Sequence, residues 1–297
     1  MRLVTFARGD SRERVGVLVD GGHRVLDVAA VWPGGPASMV ELLAAGPGAL
    51  DRLRAATAGP GPAATWPLAD VRLLAPVPRP GKVLCIGYNY RGHEAAGAIE
   101  DPEFPDVFVK TANTVVGPDA PVVVPRASVE VDYEGELAVV IGTRGREITP
   151  QDALAHVAGY SVFNDVSARD WQRHGSQWVL GKSFDTFGPL GPALVTADEV
   201  GDLTDLDVQV AVNGEVTVRS STRQMIFPIP FLVSYLSQVV TLEPGDVIAT
   251  GTPQKLAAVL ARGPRWLGPG DVVEVTIGHL GTLRSPVAAP SSRAVEN

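Results

Sequence analysis

The chain has a single cysteine, Cys85, among its 297 residues. One thiol excludes an internal disulfide framework. The opening stretch "MRLVTFARGDSRERVGVLVD" scatters charge and has no separate apolar core, so it lacks the pattern of a secretory leader. Together these read as a cytoplasmic protein. Cys85 itself lies in the apolar run "KVLCIGYN" and reads as a buried structural thiol rather than a nucleophile. Long apolar runs are also missing. None approaches the roughly 18 residues a membrane-spanning helix needs, so no membrane partner is expected. Positive charge is scarce: Lys and Arg number 25 against 33 Asp and Glu, a formal net charge of −8. Binding to phosphate backbones needs a basic face, which argues against nucleic acid as a partner. No Gly-x-Gly-x-x-Gly sits between a strand and a helix and no Walker pattern occurs, which removes the common phosphate cradles. No Cys or His cluster has zinc-ligand spacing.

What is present is an ordinary globular composition, 45% hydrophobic and 20% charged, long enough for one large or two modest domains. Residues 1–75 carry short alternating runs ("RLVTFAR", "RVGVLVD", "HRVLDVAAV") and a short helical pair over Ser38 to Gly59 broken at "GPG". They are expected to form a small N-terminal α/β domain. A Pro- and Gly-rich connector follows, and residues 76–287 read as a β-rich main domain. Its strands include "KVLCIGY", "DVFVKT", "GELAVVIG", "AGYSVFNDV", "DVIATGT" and "VVEVTIG". The Asn-Gly pair in "VNGEV" predicts a hairpin. Helices are expected in "ITPQDALAHVAG" and "PIPFLVSYLSQVV". Residues 288–297 read as a flexible tail. The fold class is therefore α+β and β-rich.

The chemistry concentrates in a few segments. "VEVDYEGELAVVIG" reads as a strand, and alternation puts Glu134 and Glu136 on one face. Like charges that close repel unless a cation lies between them; the alternative is an exposed polar face. Asp165, ending the run "GYSVFNDV", would add a third carboxylate and make a hard-oxygen site suited to Mg²⁺ or Mn²⁺. "GKSFDTFGPLGP" places Lys182 and Asp185 in a Gly/Pro-bounded loop. "ATGTP" ends a strand in a small-residue turn, with Thr252 and backbone N–H groups available to an anion. His93, in "GYNYRGHEAAG", reads by itself as a structural or surface residue.

The segments "CIGYNYRGH", "FVKTANTVVGP", "DYEGELAVVIG", "GYSVFNDVSARDWQ", "GKSFDTFGPLGP", "MIFPIPFLVSYLSQVVTLEPGDVIATGTP" and "GDVVEVTIGHLGTLRSPV" follow one another in the order and spacing of the fumarylacetoacetate hydrolase family. The chain resembles that family over about Lys82 to Val287, and more loosely before it. The resemblance implies a mixed β-sandwich roll with a small N-terminal domain, assembled as a homodimer. It implies Mg²⁺ or Mn²⁺ (Ca²⁺ as a stand-in in crystals) held by Glu134, Glu136 and Asp165. It implies His93 and Lys182 as catalytic residues, with Lys110 and Thr252 on the substrate; Asp185 is grouped with them. The implied substrate is a small 2-oxo or 2,4-dioxo acid, handled through a metal-stabilised enolate. Acylpyruvate-type hydrolysis or oxaloacetate-type decarboxylation is the first expectation; isomerisation or hydration of a 2-hydroxymuconate-like or biosynthetic intermediate is the alternative, with a non-catalytic scaffold further behind. Two departures stand out. Hydrolytic and decarboxylating members often carry Glu three residues after the histidine, where this chain has Ala96; Glu94 and Glu100 are the nearby carboxylates. After Thr252, "TPQKLAAVLARGPRW" replaces a Gly-rich turn with a helix-like run, expected to reshape one wall of the pocket through Lys255 and Leu256.

Overall fold

The computed structural model describes residues 1–9, 11–57, 64–92 and 101–290. Among these, a twelve-stranded mixed sheet dominates. Its centre is the strand Gly135–Ile141, antiparallel to Val157–Asn164 on one side and to Val247–Ala249 on the other. Val83–Gly87 pairs parallel with Val247–Ala249, and Asp106–Lys110 closes that edge. On the other flank Val157–Asn164 pairs with Gly188–Thr196, and Gly188–Thr196 pairs with the N-terminal strand Arg2–Ala7. The first strands of the chain thus extend the same sheet.

A five-stranded sheet lies over the central strands. Its hairpin, Asp207–Val212 with Glu215–Ser221, turns at Asn213 and Gly214 with φ of +53° and +81°. Two positive φ values are what a two-residue hairpin turn demands and what Asn-Gly tolerates at least cost. The central strand shows how both faces are used. Leu137, Val139 and Ile141 face the second sheet and join Val208, Val210, Val273 and Val275 in one core. Ala138 and Val140 face the other way, into a core with Cys85, Ala249 and the helices Met39–Ala44 and Pro47–Thr57. A strand buried on both sides reads as a continuous apolar run, which "GELAVVI" is.

The helix expected in "ITPQDALAHVAG" is only the 3₁₀ turn Ala153–His156, because the sheet takes the chain from Val157 onward. "PIPFLVSYLSQVV" does form the helix Ile229–Val239. Residues 291–297 of the expected tail lie outside the described residues.

Candidate metal and substrate site

Glu134 and Glu136 project from the start of the central strand, on the face that carries Ala138 and Val140 further along. Gly135 between them faces the second sheet. A Cβ there would lie 2.5 Å from Val210 Cγ2 and 2.8 Å from Val275 Cγ1. The glycine is therefore a packing requirement: it lets the two sheets close where the two carboxylates leave the strand. Gly135→Ala is expected to cost about 1–3 kcal/mol by overpacking and to weaken metal binding by tilting both neighbours. Urea unfolding and a Mn²⁺ titration of the same variant check this.

Asp165 is the residue after the neighbouring strand. Its N–H donates to the Glu134 carbonyl (2.8 Å), while the Asn164 side chain accepts from the Glu134 N–H (3.2 Å). These cross-strand bonds bring the three acidic side chains together, with ligand oxygens all within 4.8 Å of one another. Glu136 and Asp165 are buried, and the Glu134 side chain is 12% exposed.

Cations meet these carboxylates unevenly. Lys182 Nζ donates to Glu134 Oε2 and to Asp165 Oδ2, each at 2.7 Å. Lys110 Nζ donates to Asp165 Oδ1 at 2.6 Å and to the Val166 carbonyl at 2.9 Å. Arg169 lies 2.6 Å from Glu134 Oε1. Burial alone would raise Glu134, but the Arg169 guanidinium and the Lys182 ammonium outweigh it and hold the carboxyl below its usual range. Burial lowers Lys110, against the pull of Asp165. For Lys182, burial is overcome by Asp165 and Glu134, which push the ammonium up.

Glu136 is different. Its one hydrogen bond comes from the Gly251 N–H, at 2.8 Å to Oε2, and it has no ion pair among the described residues. Burial, then the charges of Asp165 and Glu134, push its carboxyl well above the ordinary range. Gly251 makes this contact at φ +96°, where a Cβ would be 2.9 Å from Asn89 Cβ. Asn89 staples the turn in place, donating to the carbonyls of Thr250 (2.8 Å) and Phe227 (3.1 Å). A buried carboxylate without a cation, beside two others, is what a hard dication would satisfy. The donor set fits a divalent metal site.

Glu134 and Glu136 open onto a cavity of about 540 Å³. Lys182 and Thr252 line it. Phe108, Tyr88 and Trp178 form an aromatic wall, with Trp178 edge-on to both other rings at 5.3 and 5.7 Å. Lys110 does not line the cavity but backs Asp165. Asp185 is exposed on its loop and accepts from Asn113 Nδ2 (2.6 Å), away from the cavity wall. His93, with Glu94, Ala96 and Glu100, lies outside the described residues. Cys85 is buried, and burial followed by the charges of Asp165 and Glu136 pushes its thiol up, which makes it inert. The Gln254–Trp266 run does not form a wall of this cavity: it holds one helical turn, Ala257–Leu260, and Lys255 turns to Asp132 at 2.5 Å.

Sequence reading passed over Arg169, Gln172 and Arg173, all of which line the cavity. A signal existed. They follow Asp165 at helical spacing, i, i+3 and i+4, and so share one face of the turn Arg169–Gln172 and its cap. Arg169 is fully engaged: it donates to Asp132 Oδ2 from Nε (3.1 Å) and Nη2 (3.0 Å), and to Gln172 Oε1 from Nη1 (3.0 Å). Arg173 has Glu130 as its partner at 2.6 Å, and its side chain is 63% exposed.

Residues 82–288 match the family described as fumarylacetoacetate hydrolase, C-terminal. The chain belongs to the fumarylacetoacetate hydrolase family. It is 47% identical over 97% of its length to oxaloacetate tautomerase FAHD2A, mitochondrial, of Bos taurus, covering 91% of that protein. It is 43% identical to the Xenopus laevis oxaloacetate tautomerase fahd2, mitochondrial, over 97% of this chain and 90% of that one. Among solved structures, it superposes with a TM-score of 0.80 and 32% identity on maleylpyruvate hydrolase from Sphingobium sp. SYK-6 in complex with manganese(II) and pyruvate, covering 98% of this chain and all (100%) of that one. A 5-carboxymethyl-2-hydroxymuconate delta-isomerase from Mycobacterium smegmatis matches at TM-score 0.76 and 35% identity, over 98% of this chain and 100% of that one. The α+β, strand-rich sandwich architecture expected from the resemblance is thus the observed one, and the chain is an enzyme of this family. The cytoplasmic expectation is corrected: these tautomerase relatives are named mitochondrial. A cysteine count speaks against an oxidising compartment and does not separate one reducing compartment from another.

Proposed function

We propose that the protein is a keto–enol tautomerase of a small 2-oxo dicarboxylic acid of the oxaloacetate kind, working at the Glu134, Glu136 and Asp165 site. The carrying observation is the near full-length identity to oxaloacetate tautomerases, 47% over 97% of the chain. The geometry supports it: the cavity wall holds an exposed guanidinium, Arg173, whose partner is Glu130 and none of the three site carboxylates. The sequence supports it too, since Ala96 stands where a water-activating histidine would find its carboxylate.

A divalent metal held by the three carboxylates would supply a Lewis acid for the 2-oxo oxygen. Lys182, buried and held by Glu134 and Asp165, presents a preorganised ammonium to the negative charge that develops on that oxygen. We assign the proton to His93: it leaves the carbon next to the carbonyl, its bonding pair becomes the C=C of the enolate, and a proton returned to oxygen gives the enol. No bond to carbon dioxide breaks, and mass is conserved. Phe108 and Trp178 keep water from the enolate face, and Thr252 offers a hydroxyl to the bound carboxylate.

The expected result is metal-dependent interconversion of the enol and keto forms of oxaloacetate, followed by ultraviolet absorbance. The product has unchanged mass and pyruvate is released only at the background rate. Catalysed pyruvate release in proportion to turnover would return the site to decarboxylation. Arg173→Gln is expected to raise KM about tenfold or more for the dicarboxylate, the worth of one hydrogen bond to a charged group. A 2-oxo monocarboxylate of the same length should show no such change.

We also propose the homodimer, through the edge strand Asp106–Lys110. Alternation turns Phe108 and Lys110 toward the site and leaves Val107 and Val109 outward, 42% and 46% exposed. Nearby Phe104 is 58% exposed. An uncovered apolar edge of this kind suits a second copy. Val109→Asp is expected to halve the mass measured by light scattering.

A further inference from the structure

The Gln254–Trp266 run carries three cations, Lys255, Arg262 and Arg265, and each has a carboxylate. Arg262 meets Glu215 at 2.6 Å and Arg265 meets Asp271 at 2.9 Å, with both guanidiniums mostly exposed. Exposed pairs contribute little to stability. Lys255 differs. Its ammonium donates to Asp132 Oδ1 at 2.5 Å, and the Asp132 side chain is only 7% exposed. The Leu256 N–H donates to the Thr217 carbonyl (2.8 Å), and the Lys255 ammonium stands 4.3 Å over the Tyr133 ring. Backbone and side chain are thus both fixed. Neither Lys255 nor Asp132 lines the metal cavity.

Asp132 nonetheless reaches the site. Its strand, Val131–Asp132, pairs with Ser167–Ala168, and Arg169 follows at once, its N–H donating to the Glu130 carbonyl at 2.9 Å. Asp132 therefore meets Arg169 on its second oxygen, Oδ2, at 3.0 and 3.1 Å. Arg169 Nη2 goes on to Glu134 Oε1 at 2.6 Å, and Lys182 takes Glu134 Oε2 at 2.7 Å. Cation and carboxylate alternate along the row Lys255, Asp132, Arg169, Glu134, Lys182. Each carboxylate in it has a different cation on each oxygen. Without Lys255, Asp132 Oδ1 would be a buried anionic oxygen with no donor among the described residues. A guanidinium fork fits both oxygens of one carboxylate. Arg169 would close on Asp132 and let go of Glu134 Oε1.

We infer that Lys255 is a positioning residue for the metal site: by occupying Asp132 Oδ1 it keeps Arg169 turned to Glu134, and so fixes the direction in which Glu134 offers its oxygens to a dication. Lys255 pairs with none of the three ligands and acts through Asp132 and Arg169. The inference rests on the reading of Glu134, Glu136 and Asp165 as metal ligands. Outer-shell partners that orient ligating groups are worth about 10–100-fold in metal affinity. Lys255 stands further out than such a partner, so the lower end of that range applies.

The test is isothermal titration of the full chain with Mn²⁺, beside melting curves of the metal-free protein. Lys255→Met is expected to weaken Mn²⁺ binding about tenfold. Lys255→Arg keeps the charge on Asp132 and should stay within about threefold of wild type. Arg262→Met breaks an exposed pair on the same run and should leave the affinity unchanged, which separates Lys255 from a general disturbance of the run. Asp132→Asn should weaken binding as well. Adding Lys255→Met to it should cost at most about twofold more, because residues that act through one another are not additive. That double variant leaves no carboxylate of Asp132 unpaired, so it decides the matter even if Lys255→Met alone does not fold. Undiminished Mn²⁺ affinity in a folded Lys255→Met or in Asp132→Asn overturns the inference. So does a larger further loss in the double variant, or a loss in Lys255→Arg or Arg262→Met equal to that in Lys255→Met. A wild type that binds no Mn²⁺ overturns the site reading and the inference with it. Binding lost in Glu136→Gln but kept in Lys255→Met overturns the inference alone.

Discussion

Glu136→Gln is expected to abolish measurable Mn²⁺ binding while making the metal-free protein more stable. The two effects have one cause. Glu136 is buried and has the Gly251 N–H as its hydrogen-bond donor, with no cation at ion-pair distance among the described residues. Burial and the charges of Asp165 and Glu134 all disfavour its ionised form. Glutamine keeps the shape and can still accept from Gly251, but removes the uncompensated charge. The metal-free chain should therefore melt higher, by roughly 2–4 °C for each kcal/mol relieved in a protein of this class. Loss of an outer-shell partner costs about 10–100-fold in metal affinity, and loss of a ligand should exceed that. Wild type should gain thermal stability from added Mn²⁺, since a ligand bound only by the folded state stabilises it; the variant should not. Isothermal titration and melting curves with and without Mn²⁺ read both effects. Unchanged Mn²⁺ affinity would show that the dication is held elsewhere, and a lower metal-free melting temperature would show that the carboxylate already has compensation.

Lys182→Met should move stability the other way. The ammonium is 2% exposed and donates to Glu134 and Asp165 at 2.7 Å. Removing one partner of a buried pair leaves charge uncompensated and costs about 3–5 kcal/mol. Lys110 still holds Asp165 and Arg169 still holds Glu134, so the fold should survive in weakened form. Turnover should fall about 10²–10³-fold, the scale seen when one preorganised donor to a developing oxyanion is lost. Added Mn²⁺ should return part of the lost stability, because it restores positive charge among the same carboxylates, and little of the turnover. A variant as stable as wild type would mean that the two short contacts contribute nothing net. Full recovery of turnover by metal would remove Lys182 from the chemistry.

Local pattern made much of this legible. The period-two spacing in "EGELAVV" put both glutamates on one face and the apolar residues in two cores, because a strand has no other way to present them. Asn213-Gly214 specified its hairpin, since few dipeptides accept two positive φ values. The helix over Ile229–Val239 showed in its apolar periodicity. The misreadings arose where a neighbour overruled local preference. "ITPQDALAHVAG" has helix signals, yet the sheet claims Val157 onward through its pairing with the central strand. Gln254–Trp266 was expected against the substrate pocket, but the buried carboxylate of Asp132 draws Lys255 away from it. Arg169 and Arg173 were in plain view in "SARDWQR" at a spacing that gives them one face, but only the folded chain turns that face toward the carboxylates.

By itself, the sequence determined that Glu134 and Glu136 share a face of one strand, because side chains alternate, and its resemblance to the family singled them out with Asp165 as a candidate ligand set. Only the tertiary structure decided which cation stands by which carboxylate. It left Glu136 without one, set Lys110 behind Asp165 and Lys182 between Asp165 and Glu134, and opened a cavity onto Glu134 and Glu136. Charge pairing acts over a few ångströms between residues tens of positions apart, and that distance exists only once the sheets have closed.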